Sequence, residues 1–260
     1  MQLAEADGER STPHSNAYPN GIWVTARTMP DYSLHAHARP HLTLLLRGAI
    51  REQRGPQRYE RQAGQTVFFY GQEPHQSDRT LEGSRNLNLE FDPGFFRRVN
   101  LREDDLQAAV QHNAGTSAQL LKAYQEFVTN DQFSADSVLM SLLVAVDRQA
   151  RARREPAASW LGMVEELLRD RWNEPVSLQD LSVASGRHPV TISRQFHHYL
   201  GCTLGEYMRR LKVERALTLI RQPGTSLAAV AYECGFSDQS HFGRVFHQLT
   251  GFRPVDYKRL

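Results

Sequence analysis

The hydrophobic and polar positions of residues 21–91 alternate in short runs, which is the pattern of β-strands. These runs are rich in β-branched and aromatic residues, and turn-forming sequences such as RGPQ, EGSR and DPG separate them. The pattern predicts strands at residues 21–28, 41–48, 49–54, 66–71 and 86–91. Several short strands at this spacing are typical of an antiparallel sandwich or barrel.

Farther along the chain, the apolar residues recur at helical spacing. Two amphipathic helices are predicted at residues 118–128 and 134–149, with apolar faces formed by Leu120, Tyr124, Phe127, Leu139, Leu142, Leu143 and Val146. Further helices are predicted at residues 160–172, 178–185, 189–200, 204–222, 227–233, 239–250 and 254–260. Pro189 and Pro254 suit the first turn of a helix, and Gly201 and Gly251 suit the position just after a helix end.

Two stretches of the helical part repeat one pattern. Residues 181–201 (LSVASGRHPVTISRQFHHYLG) and residues 230–251 (VAYECGFSDQSHFGRVFHQLTG) each contain a short helix, a turn with a Gly, and a second helix that closes on a Gly. In the second helix an Arg stands two residues before a Phe, as in Arg194 and Arg244. This is the pattern of a helix-turn-helix. Two copies predict a protein that binds DNA with two helices.

The second helix of each repeat is apolar on one face and small or polar on the other. The polar faces hold Val190, Ser193, Arg194 and His197 in the first copy, and Ser240, Gly243, Arg244 and His247 in the second. Short side chains permit close approach to DNA, and an Arg can bond guanine O6 and N7. The helix predicted at residues 204–222 is about 28 Å long, and adjacent major grooves lie about 34 Å apart. The two copies are therefore predicted to enter successive grooves.

Charge separates the two parts of the 260-residue chain. Residues 151–260 hold 16 Lys and Arg against 11 Asp and Glu, a net charge of +5, whereas the totals of 31 and 29 leave −3 for residues 1–150. This asymmetry is typical of one nucleic-acid-binding domain and one domain with another task. The predicted organisation is a disordered tail (1–20), a β-rich sensor and dimerisation domain with trailing helices (21–150), a basic linker (151–159) and a helical DNA-binding domain (160–260).

Several features predict a cytoplasmic protein. The N-terminal residues lack the basic and apolar blocks of a secretory signal, and no apolar run approaches the ~20 residues that cross a bilayer. The two cysteines, Cys202 and Cys234, exclude a disulfide scaffold, and we interpret them as reduced thiols.

The segment from about Trp160 to Arg259 resembles the DNA-binding domain of AraC/XylS-type transcription regulators. The most specific stretch is AAVAYECGFSDQSHFGRVFHQLTGFRPVDYKR. In the first copy His188 stands where Ser commonly caps the recognition helix, so a weaker cap is expected there. The resemblance implies base contacts by Val190, Ser193, Arg194, Gln239, Ser240, His241 and Arg244. It also implies promoter DNA as the partner, with RNA polymerase as a further candidate and a homodimer as the assembly.

Four histidines mark the β-rich part. His35 and His37 form a His-X-His, His41 follows four residues later, and His75 comes after a strand. This arrangement resembles a cupin barrel, in which such histidines hold a divalent ion; here His41 occupies a position that is usually Glu. Imidazole suits Zn, Cu, Fe and Ni. The alternatives are a barrel that senses a small organic molecule without metal, and histidines that only form hydrogen bonds.

A small-molecule effector is predicted to bind inside this barrel, with Trp23, Phe68, Tyr70 and Leu89 as candidate lining residues. The competing interpretation of these residues is plain core. The fold class is therefore an α+β multidomain protein, with a cupin-like antiparallel β-barrel followed by an all-α double helix-turn-helix domain. The leading hypothesis is a transcription regulator that is not an enzyme. A metal-dependent cupin enzyme fused to a DNA-binding domain and an architectural DNA binder are the alternatives.

Overall fold

The computed structural model describes residues 4–5, 15–18, 22–28, 32–79, 84–92, 94–129, 132–155 and 158–260. The chain forms two compact units, made of residues 1–110 and residues 111–259. Among the described residues, no helix is both long enough and apolar enough to cross a membrane.

The first unit contains ten strands and two helices in its described part. The strands are β1 (Ala4–Glu5), β2 (Ser15–Tyr18), β3 (Ile22–Thr28), β4 (Tyr32–Ala36), β5 (His41–Arg47), β6 (Ala49–Arg54), β7 (Gln57–Gln62), β8 (Thr66–Phe69), β9 (His75–Arg79) and β10 (Arg85–Phe91). They form two five-stranded sheets, ordered β1-β4-β9-β6-β7 and β2-β3-β10-β5-β8. Helix α1 (Phe95–Arg98) follows, and α2 (Glu103–His112) begins in this unit.

The sheet β2-β3-β10-β5-β8 separates apolar from polar side chains. Leu42 lies opposite both Phe68 and Leu89, and these three residues are buried on one face together with Leu44 and Leu87. Because successive residues of a strand point to opposite faces, the other face carries residues that are mostly polar, namely His41, Thr43, Phe69, Asn86, Asn88 and Glu90. One face of this sheet is thus an ordinary apolar core, whereas the other supplies polar groups to a small cavity.

The first unit differs from its sequence-based description in three ways. The sheets pair antiparallel except for β1 with β4, and neither sheet closes on itself among the described residues, so a closed barrel is not observed. Residues 4–5 and 15–18, within the predicted disordered tail, are short strands; the rest of residues 1–20 lies outside the described residues. Strands β4, β7 and β9 were absent from the prediction. The sequences of β7 (QRYERQ) and β9 (HQSDR) are mainly polar on both faces, and β4 (YSLHA) has only five residues.

The second unit is entirely helical in its described part. Its helices are α3 (Thr116–Val128), α4 (Gln132–Arg154), α5 (Ser159–Asp170), α6 (Leu178–Ser185), α7 (Pro189–Leu200), α8 (Leu204–Leu219), α9 (Leu227–Glu233), α10 (Gln239–Thr250) and α11 (Pro254–Arg259). A core of buried apolar residues joins α5, α6, α7 and α8, and it includes Trp160, Leu168, Leu181, Phe196 and Tyr207.

The bounds of α4 and of the two compact units bear on the predicted linker and domain boundary. Helix α4 continues to Arg154, so the first four residues of the predicted linker (151–159) are its last turn, and Ala152 among them is buried. The alternation of Arg with Ala in RQARARR concealed this, because the small apolar residues lie inward while the arginines remain in water. Helices α3 and α4 belong to the compact unit of residues 111–259, and not to the sheets that precede them.

Helix α8 is also shorter than predicted. It ends at Leu219, and the N–H groups of Arg221 and Gln222 bond to carbonyls three residues back instead of four. Pro223 explains this end, since a proline disfavours the helical conformation of the residue before it. The 16-residue helix spans about 24 Å, and turns at both ends connect it to the flanking helices.

Candidate nucleic-acid interface and histidine cavity

Helices α6 and α7 form the first helix-turn-helix unit. Helix α6 begins with a capping box between Ser177 and Asp180, and it ends at Gly186, which has a φ of +65°. Helix α7 begins with His188, whose Nδ1 accepts a hydrogen bond from the N–H of Val190 over 3.3 Å. Its inner face, which includes the fully buried Ile192 and Phe196, packs into the core. Packing on this side turns the remaining face of α7 outward.

Helices α9 and α10 repeat this construction. Gly235 has a φ of +66° in the turn after α9. The Asp238 carboxylate caps α10 by accepting from the N–H of His241 over 2.7 Å, which is shorter than the corresponding contact of His188 in α7. Phe242 and Phe246 are fully buried beneath α10. Both units therefore share one architecture, and the weaker first cap predicted from the sequence stays a prediction consistent with these distances.

The residues predicted to contact bases occupy the outward faces of α7 and α10. Val190, with 69% of its surface exposed, is a large apolar residue in water, and Ser193, Arg194, Gln239, Ser240 and Arg244 are exposed beside it or at the matching places. His241 differs from them, because it is half-buried and its Nδ1 lies 3.1 Å from the Ser237 hydroxyl. Six of the seven predicted residues are thus available to DNA without rearrangement, and His241 has a local partner.

The four predicted histidines come together between strands of the two sheets. The ring centroids of His35 and His75 are 4.4 Å apart, and those of His37 and His41 are 4.7 Å apart. One ligand atom from each of His35, His37 and His75 can be chosen so that all three lie within 4.8 Å of one another. The cavity that these rings line has a volume of about 20 Å³, which is room for one or two water-sized spheres.

The hydrogen bonds of the histidines favour metal ligation. Nδ1 of His35, His41 and His75 donates to the carbonyl oxygens of Ser33, Arg39 and Glu73, at 2.8, 3.3 and 2.9 Å. A carbonyl accepts only, so in the neutral ring Nε2 keeps its lone pair, as in most metal-ligating histidines. Burial is the main cause that lowers the pKa of His75 to about 4, which keeps its ring neutral near neutral pH. Ligand nitrogens of a tetrahedral zinc site lie about 3.3 Å apart. The ligand atoms here lie within 4.8 Å of one another, so binding requires them to approach by up to about 1.5 Å.

The predicted lining residues do not join this cavity. Phe68 and Leu89 are in the apolar core on the other face of their sheet. Trp23 stacks under the guanidinium of Arg39, and Tyr70 is partly exposed with its hydroxyl bonded to Asp104. The register explains the error for Phe68, because its neighbour Phe69 is the one that lies opposite His41 and stacks on its ring at 4.6 Å.

The cavity also contains charged and polar residues that the sequence analysis missed. They are Thr43, Glu52, Arg61, Ser77, Asn86, Asn88 and Glu90. Glu52, which is buried, bonds Arg54 at 2.6 Å and Arg61 at 2.7 Å. The signal available in the sequence was the position of Glu52 and Arg54 on one face of β6, opposite in register to Ser77 and His75 of β9.

The chain is similar to known DNA-binding proteins over its C-terminal part. A family model described as a helix-turn-helix domain matches residues 181–260. The transcriptional activator RhaS of Shigella boydii is 28% identical over 127 residues, which are 48% of this chain and 46% of that protein. The HTH-type transcriptional regulator YisR of Bacillus subtilis is 27% identical over 93 residues, 36% of this chain and 32% of that protein. The chain thus spans about half the length, or less, of these curated relatives.

Two solved structures provide a comparison of folds. A transcriptional regulator of the AraC-type DNA-binding class from Chromobacterium violaceum is 25% identical, with 40% of this chain and 92% of that chain covered and a TM-score of 0.38. ToxT from Vibrio cholerae is 9% identical, with 92% and 98% covered and a TM-score of 0.39. The family match over residues 181–260 coincides with α7 to α11 and with most of α6.

Proposed function

We propose that the protein is a sequence-specific transcription regulator of the AraC/XylS type, because a family model described as a helix-turn-helix domain matches residues 181–260. In this proposal α7 and α10 enter successive major grooves of promoter DNA. The observation that carries it is the matched pair of outward faces, each with small residues and one exposed Arg, on helices whose other faces are buried. A single exposed helix can serve many purposes. Two equivalent helices joined by α8 suit a partner such as DNA, whose major groove recurs at a fixed distance.

The roles of the side chains follow from their lengths. Arg194 and Arg244 are long enough to bond guanine O6 and N7 from the two helices. Val190 contacts thymine methyl groups or the groove wall, and Ser193, Gln239 and Ser240 are short or flexible groups for the remaining base edges. His241 contributes after it exchanges its Ser237 contact for a partner on DNA.

Arginine variants test this assignment directly. Arg244→Ala and Arg194→Ala are each expected to weaken binding to a selected site by about 1–3 kcal/mol and to relax base preference at one position. Arg171→Ala is the matched control, since it removes the same charge from an arginine that pairs with Glu174 at the end of α5. Equal binding of DNA by the three variants would contradict the proposed base contacts.

The sheets of the first unit are proposed to sense a small-molecule effector in a cupin-like arrangement. The support is the polar cavity, together with the cupin-like spacing of its histidines. A homodimer and a contact with RNA polymerase are further proposals for the same regulator. A cytoplasmic location follows from them, because promoter DNA is the partner. Sedimentation that finds a monomer at micromolar concentration would contradict the dimer.

A divalent metal ion is a second candidate occupant of the cavity. We propose that His35, His37 and His75 would hold it through Nε2, with His41 beside them, and such an ion would supply a positive charge for an anionic or polar ligand. Elemental analysis of protein purified without an affinity tag tests this. About one equivalent of metal in the native protein, and little in His75→Ala, is the expected result. Less than about a tenth of an equivalent, with no gain on reconstitution, contradicts it.

The size of the cavity favours regulation over catalysis. A metal-dependent cupin enzyme needs space for an organic substrate next to the ion, and a volume of about 20 Å³ does not provide it. An architectural DNA binder does not need matched arginines on two recognition faces. Footprinting on the upstream DNA of the gene separates these proposals, because a regulator protects one tract of about two helical turns per protomer.

A further inference from the structure

Arg61 of β7 brings a guanidinium into the cavity with part of its hydrogen-bonding capacity unused. The side chain is buried, and its Nη2 donates to Oε2 of Glu52 over 2.7 Å. Nε and Nη1 are also buried, and neither has a hydrogen-bond partner among the described residues. An unmade hydrogen bond on a buried charged group costs several times more free energy than one on the surface. The folded protein therefore lacks hydrogen-bond acceptors for Nε and Nη1 of Arg61.

Asn86 of β10 is in the same situation on the facing sheet. It is fully buried, it lines the same cavity, and neither its Nδ2 nor its Oδ1 has a partner among the described residues. A buried amide is almost always hydrogen-bonded in native proteins. Two unsatisfied polar side chains, from strands of different sheets, thus line one small space.

The charged residues that line this space are Arg61, Glu52 and Glu90, and Glu90 also lies 3.8 Å from the Arg39 guanidinium. Glu52 is the only buried carboxylate that the two guanidiniums of Arg54 and Arg61 share among the described residues. Arg54 has compensation elsewhere, since it donates to the carbonyl of Phe68 over 3.0 Å and lies 3.6 Å from the Glu73 carboxylate at the rim. Arg61 has the Glu52 bond alone for three nitrogens. Arg61 is therefore the buried guanidinium with the most unused hydrogen-bond donors.

We propose that this cavity binds a small oxyanion, namely the carboxylate of a small organic acid or an inorganic ion of similar size. The oxyanion accepts hydrogen bonds from the free donors of Arg61 and from Nδ2 of Asn86. Charge-assisted bonds of this kind are about twice as strong as neutral ones. This inference rests on the sensing role proposed above and deepens it by naming the chemistry of the ligand.

The volume of the cavity limits the size of the ligand. A cavity of about 20 Å³ admits one carboxylate group or one or two water molecules, since each water molecule needs about 10–15 Å³ of such a volume. Formate and acetate fit this limit, whereas an aromatic acid does not without rearrangement of the sheets. Water is the competing occupant of the cavity. It differs from an oxyanion in a property that can be tested, because water carries no negative charge.

Calorimetric titration of the full chain distinguishes these occupants. Formate and acetate are the probes, and acetamide, which has nearly the shape of acetate without its charge, is the matched neutral probe. The expected result is saturable 1:1 binding of formate or acetate, and none of acetamide, in chelator-treated protein. Absence of saturable binding of formate and acetate to the wild-type protein would overturn the proposal in favour of water.

Variants locate the bound anion. Arg61→Gln is expected to lower the affinity at least about tenfold, whereas Arg58→Gln removes the same charge from an exposed position of the same strand and leaves the affinity unchanged. Asn86→Asp supplies a carboxylate in place of the ligand, so it is expected to fold and to lose anion binding even if Arg61→Gln is unstable. Binding that is equal in wild type, Arg61→Gln and Asn86→Asp overturns the proposal.

The outcome of the anion-binding experiments does not depend on the outcome of the DNA-binding experiments. Loss of the anion site with intact base preference at Arg244 would refute this inference alone. Anion binding in a protein that fails to bind any selected DNA would instead refute the proposed function.

Discussion

Glu214 in α8 accepts a hydrogen bond from the backbone N–H of Ser117, over 3.0 Å, at the start of α3. Its second carboxylate oxygen lies 3.3 Å from the N–H of Ala118. These are N–H groups of the first turn, which have no partner within their own helix. The contact therefore fixes α3 on α8, the helix that connects the two helix-turn-helix units.

The α3–α4 pair extends this contact to both recognition helices. At the end of α10, the ring of Phe252 stacks against Tyr124 of α3 with centroids 6.3 Å apart. At the end of α7, the Tyr199 hydroxyl donates to Glu155, just after α4, over 3.0 Å. The contacts lie at the C-terminal ends of α7 and α10, so the N-terminal halves remain open to DNA. Helices α3 and α4 thus act as a second connection that sets the separation of the two units.

Glu214→Ala is expected to destabilise residues 111–259 by about 1–3 kcal/mol, because it leaves two backbone N–H groups without an acceptor. Glu214→Gln is expected to cost less, since its single amide oxygen still accepts from one of the two N–H groups. Denaturant unfolding followed by circular dichroism measures both, with Glu166→Ala on the exposed face of α5 as the control. Equal stability of Glu214→Ala and Glu166→Ala would show that α3 does not depend on this contact.

The stabilities of wild type and Glu214→Gln are expected to depend differently on pH. Loss of water around the Glu214 carboxyl raises its pKa above the usual range, although the Ser117 and Ala118 donors act in the opposite direction. A raised folded-state pKa means that the folded protein holds the proton more tightly than the unfolded chain. Wild type should therefore lose stability relative to Glu214→Gln as pH rises through that pKa. A difference between the two proteins that is constant with pH contradicts this.

The two helix caps predict unequal effects of similar substitutions. The Asp238 bond to the N–H of His241 is 2.7 Å long, and the His188 bond to the N–H of Val190 is 3.3 Å long. Asp238→Ala is expected to lower Tm by roughly 2–4 °C, and His188→Ala by less. His188→Ser should raise Tm, because a hydroxyl is a better cap. Thermal melts of the three variants decide this, and a larger loss for His188→Ala would reverse the predicted order.

The turn glycines offer a matched pair for stability. Gly186 and Gly235 have φ values of +65° and +66°, so alanine at either position costs about 1–2 kcal/mol. A Cβ at Gly186 meets open space, whereas one at Gly235 collides with the carbonyl oxygen of Asn173. Gly235→Ala should therefore cost a further 1–3 kcal/mol or so. Equal unfolding free energies for the two variants would mean that the chain around Asn173 moves away freely.

Local signals explain why the helix-turn-helix units were predictable. Helices α6, α7, α9 and α10 have the predicted bounds because capping residues, Pro189 or terminal glycines mark their ends. These signals act within a few residues and do not depend on the rest of the fold. The outward position of Arg194 and Arg244 followed from helical periodicity alone.

The polar cavity is the reason why strands β7 and β9 and the residues that line the cavity were not predicted from the sequence. Inward residues of β7 and β9 include Arg61, His75 and Ser77, so the usual contrast between a buried apolar face and an exposed polar face is missing. The packing of α3 against α8 depends on Glu214 and Ser117, which are 97 residues apart. No periodic pattern reports a contact at that separation, and adjacency in sequence was the only ground for the predicted grouping of α3 and α4 with the sheets.

Selection of bound sequences from random DNA tests the central claim most directly. The account predicts two short conserved blocks whose centres lie about 10 base pairs apart, since α7 and α10 enter successive major grooves. Arg194→Ala should degrade one block and Arg244→Ala the other. Inserting 5 base pairs between the blocks should reduce affinity to that of a single unit. A single conserved block, or affinity that is insensitive to the insertion, would contradict the account.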